Sequence, residues 1–367
     1  MWYACRMNET DMRTMATGDP VRVAFFDAKP YDQDFFSRAN EAYGFDIKYF
    51  RPRLTTDTAR LAEGYPAICL FVNDRLDAPT LEVLQRAGLR VAALRCAGYN
   101  NVDLTATHGR VRVLRVPAYS PHAVAEHTIA LLLALDRKIH KAYNRTRDNN
   151  FSLNGLLGFD LFGKTAGIIG TGKIGRLVIR ILRGFGMRTL AFDPFPDASA
   201  AAAEGFEYVP LNRLYAESDV ISLHCPLTPE TKQLINADAL RAMKPGVTLL
   251  NTGRGKLIHT IALIEALKEK RVGAAGLDVY EEEERYFFED WSAGGVEDDL
   301  LARLLTFPNV LVTSHQAFFT REALENIAAT TLENIRSFFA GAPLTNEICY
   351  RCSAPTCRKK ETGSCFA

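Results

Sequence analysis

TAGIIGTGKIG, residues 165–175, decides the reading of this chain. A short β-branched run passes directly into G-x-G-x-x-G, and the RLVIRILRGFG that follows has helical periodicity. In that context each glycine has a mechanical meaning. Gly170 makes the tight turn, Gly172 lets the backbone approach a pyrophosphate, and Gly175 lets helix and strand pack closely, with Thr171, Lys173 and Ile174 completing the loop. Asp193 ends the next strand, where a carboxylate accepts hydrogen bonds from the adenosine ribose hydroxyls and repels a 2′-phosphate. Pro194-Phe195-Pro196-Asp197 supplies no Arg to welcome that phosphate, so the expected cofactor is NAD rather than NADP.

Working outward, strands and helices alternate on both sides of the motif. Downstream come RTLAFD, DVISLH, VTLLNTG, GAAGLDV and NVLVTSH, which with TAGIIG make six strands of a doubly wound dinucleotide-binding fold. Upstream, RVAFFDAKPY, DIKYFRP, AICLFVND, RVAALRCAG and VRVLRVP alternate with helical stretches and predict a first parallel-sheet unit closing near Pro117. A long helix follows, with Ser120 as N-cap, Pro121 in its first turn and Val124, Ile129, Leu132 and Leu135 apolar, and reads as a bridge between domains. A polar loop with Asn149, Asn150 and Asn154 separates it from the second unit. A last amphipathic helix, Thr320 to Phe339, carries Leu324, Ile327, Ala328, Leu332, Ile335 and Phe338 and is expected to return to the first domain. The expected architecture is α/β: two doubly wound parallel-sheet domains, a Rossmann-type NAD domain (120–315) inserted in a flavodoxin-like substrate domain (21–119 and 316–348).

The 367 residues are 47% hydrophobic and 24% charged with a net charge of +1, which suits a two-domain enzyme and gives no single-sign field for nucleic acid or an acidic membrane. The longest apolar run, Ile129 to Leu135, is too short to span a bilayer. Glu9, Asp11 and Asp19 argue against a leader peptide, so residues 1–20 read as a flexible extension, with Met7, Met12 and Met15 as further possible starts. Cys5, Cys69, Cys96 and Cys225 are scattered singly, as in a reducing, cytoplasmic compartment. Cys349, Cys352, Cys357 and Cys365 crowd the end, but without a second C-x2-C or a nearby His they read as a solvated extension (349–367) rather than a zinc site, and no metal is expected.

Ligands of open parallel sheets lie outside the carboxyl ends of the strands. Four such ends carry polar chemistry: His224, Arg254, Asp278 with Glu283 close behind, and His315. Arg254 suits bidentate binding of a carboxylate. A histidine suits the proton transfer that accompanies hydride transfer to a carbonyl, and Glu283 is placed to favour an imidazolium, but these residues alone leave His224 and His315 as competitors.

Arg254 in NTGRG, Asp278 to Glu283 in DVYEEE and His315 in VLVTSHQAFFT resemble the Arg, Glu and His set of the D-isomer-specific 2-hydroxyacid dehydrogenases. The resemblance runs from about Val21 to Ile348 and is strongest to the fermentative D-lactate members, through RCAGYNNVD, VPAYSPHAVAEH, DVISLHCPLTPET and FFEDWS. It implies that His315 is the acid/base, that Glu283 raises its pKa, and that Arg254 anchors the substrate carboxylate. It further implies that Ala97, Gly98, Tyr119 and Phe318 line the substrate, and that His224, Pro226, Thr252 and Asp278 face the nicotinamide. The implied reaction interconverts pyruvate and D-lactate with NAD in a homodimer or homotetramer. Hydroxypyruvate, glyoxylate or phenylpyruvate are alternative substrates, with the turn Phe71 to Asp74 also shaping the pocket, and a nicotinamide-gated corepressor-like binding protein is an alternative role. His127 reads as a packing residue, and His108, His122 and His140 read as surface. Three positions depart from the family pattern: Gly253 for Ser, which is expected to loosen the segment presenting Arg254, Ser314 for Pro, and His259 for Asp.

Overall fold

The computed structural model describes residues 19–351, so the expectations for Cys5, the alternative starts, Cys352, Cys357 and Cys365 lie outside the described residues. The chain packs as two compact units, one made of the residues up to Tyr119 together with those from Thr320 onward, the other of Ser120–Phe319.

In the first unit β1 (Arg22–Phe25), β2 (Asp46–Tyr49), β3 (Ala67–Leu70), β4 (Val91–Leu94) and β5 (Arg112–Leu114) lie parallel in the order β5-β4-β3-β1-β2. β3 and β4 are buried at every position, as strands covered on both faces must be, which explains their unbroken apolar sequence. The sheet is not wholly parallel, because Glu347–Ile348 adds an antiparallel edge beside β5. Cys349, expected to open a loose tail, is buried just past that edge strand. The helix Arg321–Phe339, with Thr320 Oγ1 accepting from the Ala323 amide at 3.3 Å, packs on the helix Pro30–Asn40 and β4 and buries Leu324, Ile327, Leu332 and Ile335. Phe338 is only half-buried and lies against the Arg90 guanidinium, 5.4 Å from its ring centre.

The second unit contains β6 (Thr165–Ile169), β7 (Arg188–Phe192), β8 (Glu207–Tyr208), β9 (Val220–Leu223), β10 (Val247–Asn251), β11 (Val272–Leu277) and β12 (Val310–Val312). All are parallel, in the order β12-β11-β10-β9-β6-β7-β8, so the direction of winding reverses between β6 and β9. β8 was not expected from the sequence. The helix Pro121–Arg137, expected as a bridge, belongs by its packing to this unit: it lies on the helix Lys173–Gly184, β10 and β11, with Ser120 Oγ accepting from the Ala123 amide at 3.2 Å. The unit ends at Phe319 rather than 315, since Gln316 and Ala317 donate their amides back to Asp278 at 2.9 Å each. Of the histidines expected at the surface, His122 is exposed, whereas His108 and His140 are half-buried, the former edge-on to Tyr350 with ring centres 5.0 Å apart. Among the described residues no helix is long and apolar enough to cross a membrane.

Candidate active site

β6 runs into the glycine loop as its sequence demands. Gly170 has φ +95°, a left-handed conformation, and a Cβ there would lie 2.6 Å from the Cys225 amide nitrogen. A Cβ at Gly175 would stand 2.0 Å from the Gly170 carbonyl oxygen, so any side chain would force the helix Lys173–Gly184 off the strand. Gly172, at the N-cap of that helix, has nothing within 4 Å of the equivalent position. A turn held from below and empty above, at a helix N-terminus with exposed Lys173 beside it, fits a pyrophosphate. Asp193, just past β7, accepts from the Thr171 amide at 2.8 Å and the Thr171 hydroxyl at 3.0 Å, which ties this carboxylate to the loop. These residues fit NAD, which supplies or accepts a hydride when bound.

Farther along the same ends of the sheet, β9 is followed by His224, β10 by Thr252 and Arg254, and β11 by Asp278. His224 Nε2 is 2.8 Å from Ser222 Oγ, and packing around the half-buried ring pushes its pKa down to about 4. It is therefore neutral at physiological pH. Pro226 beyond it is exposed, and the Thr252 hydroxyl is 2.8 Å from that of Thr128. The turn after β10 is clamped by Asn251, whose Oδ1 accepts from the Gly253 amide at 3.0 Å and whose Nδ2 donates to the Arg254 carbonyl at 2.9 Å. The Arg254 Nη1 donates to the Gly253 carbonyl at 2.7 Å. This bracing opposes the loosening expected from glycine at 253.

Asp278, expected on the nicotinamide side, organises the turn after β12. Its carboxylate is fully buried and accepts from the Thr313 hydroxyl at 2.5 Å and from the Gln316 and Ala317 amides, with His127 Nε2 3.4 Å away. Burial works against its charge, but the hydrogen bonds from His127, Thr313 and Ala317 outweigh it and hold the carboxyl below its usual range. Its carbonyl accepts from the His315 amide at 2.7 Å. The turn after β12 is thus wound around Asp278, and His315 sits in it with φ +54°. His127, read from the sequence as a packing residue, and Thr313, which the sequence did not single out, complete this hub; a contact between residues 127, 278 and 313 leaves no trace in local spacing.

Glu283 opens a short 3₁₀ turn, with Oε2 accepting from the Tyr280 amide at 2.8 Å and Oε1 2.8 Å from His315 Nδ1. One oxygen fixes the carboxylate and the other fixes the ring. A carboxylate on Nδ1 makes that atom the protonated one and leaves Nε2 for exchange with a ligand. Phe288 lies against the imidazole, ring centres 5.7 Å apart. The second unit therefore brings Arg254, Glu283 and His315 to the ends of three adjacent strands. Phe318 is buried in the same unit, edge-on to Phe319 at 6.0 Å. Ala97, Gly98 and Tyr119 belong to the first unit and are half-buried. There, Arg115 Nη1 donates to the Ala97 carbonyl at 2.8 Å, and the Tyr119 carbonyl accepts from Asn326 Nδ2 at 2.8 Å.

Residues 129–317 match the model of the D-isomer specific 2-hydroxyacid dehydrogenase, NAD binding domain. The chain is 53% identical over 330 residues to the D-lactate dehydrogenase of Escherichia coli (strain K12), covering 89% of this chain and all of that one. Among solved structures, the pyruvate reductase of Chlamydomonas reinhardtii superposes with a TM-score of 0.84 at 44% identity, covering 89% of this chain and 98% of that one. The D-lactate dehydrogenase of Aquifex aeolicus, solved with NAD and lactic acid, superposes with a TM-score of 0.78 at 32% identity, covering 87% and 96%. The glycine loop, the Glu283–His315 pair and these matches agree, and the chain belongs to the D-isomer-specific 2-hydroxyacid dehydrogenase family, with an NAD-binding domain as its second unit.

Proposed function

We propose that the chain is a D-lactate dehydrogenase interconverting pyruvate and D-lactate, with NAD as hydride carrier. The observation that carries this reading is the 2.8 Å contact of His315 Nδ1 with Glu283, which directs the other ring nitrogen to acid/base work. Arg254 holds the substrate carboxylate in a bidentate grip. His315 Nε2 gives its proton to the carbonyl oxygen in reduction and takes it from the hydroxyl in oxidation. Glu283 keeps the ring oriented through the cycle, while Ala97, Gly98, Tyr119 and Phe318 line the substrate, and Thr252, His224, Pro226 and Asp278 the nicotinamide. The activity of relatives such as the Escherichia coli enzyme supports pyruvate as the oxo acid.

Loss of NADH absorbance with pyruvate, compared with hydroxypyruvate, glyoxylate and phenylpyruvate, tests the reading. Pyruvate is expected to have the highest kcat/KM, with D-lactate and not L-lactate oxidised in reverse. His315→Asn is expected to lower kcat by about 10²–10⁴. Failure to turn over any of the four acids, or a wild-type rate in the variant, would sink the proposal.

The active form we assign is a homo-oligomer. Phe151, Leu153, Leu157 and Phe162 of the second unit are 72–88% exposed, an apolar surface that a second copy of the chain would cover. Light scattering of wild-type and Leu157→Glu protein checks this, with a shift toward monomer expected in the variant. The free thiols of Cys69 and Cys225 suit action in the reducing cytoplasm.

A further inference from the structure

The first sheet reverses its winding between β1 and β3, the place where an open α/β sheet offers a ligand crevice. Here the ends of the strands surround a guanidinium. Arg95 follows β4 directly, is 1% exposed, and lies between the rings of Phe25 and Phe71, with ring centres 4.5 and 4.6 Å from its Cζ. Its Nη2 donates to the Asp27 carbonyl at 2.8 Å, and its Nε is 3.3 Å from Asp32 Oδ1. Asp32 in turn accepts from the Lys29 amide at 3.0 Å and so ties in the start of the helix Pro30–Asn40. Asp27, at the end of β1, has φ +49° and is fully buried, with its carboxylate 2.9 Å from Lys29 Nζ. Asp74 is fully buried as well and accepts from the Leu54 and Phe71 amides at 2.6 Å each, which closes the turn after β3.

Ion groups of this kind are a poor source of stability. Desolvating each charge costs several kcal/mol, and apolar residues of similar volume often serve the fold as well or better. What an apolar residue does not supply is direction. Arg95 grips β1 and the helix start with its side chain while its own backbone amide donates to the Leu70 carbonyl of β3 at 2.9 Å. Two and three residues on are Ala97 and Gly98, whose segment is held on its far side by Arg115 and by the Val116 amide donating to the Cys96 carbonyl at 3.1 Å.

We propose that Arg95, braced by Asp32 and the Asp27 carbonyl, is a positioning residue for the reaction. It sets the Cys96–Gly98 segment at the height and angle at which its backbone receives the 2-oxo acid. The inference rests on the assignment of Ala97 and Gly98 to the substrate side of the proposed reaction.

Full-length Arg95→Met tests it, read by pyruvate KM and kcat, NADH binding, and the affinity of the NADH complex for oxamate, a non-reducible isostere of pyruvate. KM and the oxamate Kd are expected to rise at least about tenfold, a loss of roughly 1.4 kcal/mol. NADH affinity is expected to stay the same, since the glycine loop belongs to the other unit, and kcat to stay within about twofold. Arg95→Met/Asp32→Leu removes both charges and is expected to regain the melting temperature lost by the single variant without regaining KM. The proposal is overturned if a folded single variant binds pyruvate and oxamate normally, or if KM recovers together with melting temperature in the double variant. Wild-type protein that binds oxamate but does not reduce pyruvate would break the assigned reaction alone, and the oxamate Kd of the variants would still decide the role of Arg95. Wild-type protein that does neither overturns both.

Discussion

The two sheets offer the same kind of crevice and fill it in opposite ways. In the second unit the reversal between β6 and β9 is lined by glycine, and the space above Gly172 is open. In the first unit the reversal between β1 and β3 is closed by the chain's own charges, with Arg95, Asp27 and Asp32 all nearly or fully buried. Topology determines where a ligand can sit, and side chains determine whether one does. One crevice receives a dinucleotide, and the other has become an internal frame for a neighbouring loop.

The sharpest way to break this contrast is to close the open crevice. Gly175→Val places atoms against the Gly170 carbonyl, only 2.0 Å from the Cβ position. NADH binding, followed by fluorescence, is expected to fall by more than about a hundredfold, with unfolding of the second unit made easier by about 1–3 kcal/mol as in other overpacked sites. Retained NADH affinity would show that the loop adapts and that the open crevice is not a fixed shape.

A smaller effect is expected at Asp193, the carboxylate proposed to select the ligand. Asp193→Ala removes the acceptor for both the amide and hydroxyl of Thr171. Charge-assisted hydrogen bonds are worth roughly 1.5–3 kcal/mol, so NADH affinity is expected to drop about ten- to hundredfold, with NADPH disfavoured less than before. An unchanged ratio of NADH to NADPH efficiency would remove Asp193 from cofactor choice.

His224 gives a pH-dependent test of the same edge. Its pKa is lowered from 6.5 to about 4 by burial, so the unfolded chain takes up a proton before the folded one does. The stability this ring contributes is complete above pH 6.5 and is lost as the pH falls toward about 4, and solvent at the ring edge moderates its size. Urea denaturation of His224→Gln is expected to show a flatter pH dependence across that window than wild type. Parallel curves would place the titration elsewhere.

The smallest effect is expected at Gly253. A Cβ there meets nothing nearer than 3.5 Å, and Asn251 already fixes the turn. Gly253→Ser is expected to change pyruvate KM and kcat by less than about twofold. A larger gain would mean that backbone freedom at this turn does limit Arg254.

Much of this was legible in the sequence because it is local. Eleven strands appear as runs of branched apolar residues, and the glycine loop announces itself by spacing. β8 and Glu347–Ile348 did not, since two residues are too few to show an alternation. Charge pairing over distance was equally hidden. Asp27, Asp32 and Asp74 look like ordinary surface acids next to apolar runs, and nothing near them in sequence points to Arg95. Of His224 and His315, which strand-end logic leaves as competitors, only His315 has a carboxylate on its ring nitrogen, while His224 is paired with a serine hydroxyl, and this difference supports the proposed role of His315.

The left-handed backbone at His315 limits what can replace it. At φ +54° most side chains strain the chain by roughly 1–2 kcal/mol, whereas asparagine visits this region readily. An alanine variant would therefore mix two losses, the missing imidazole and a relaxed turn around Asp278. Asparagine removes the proton carrier and keeps the turn, which makes it the substitution of choice for trapping a stalled complex with both ligands in place.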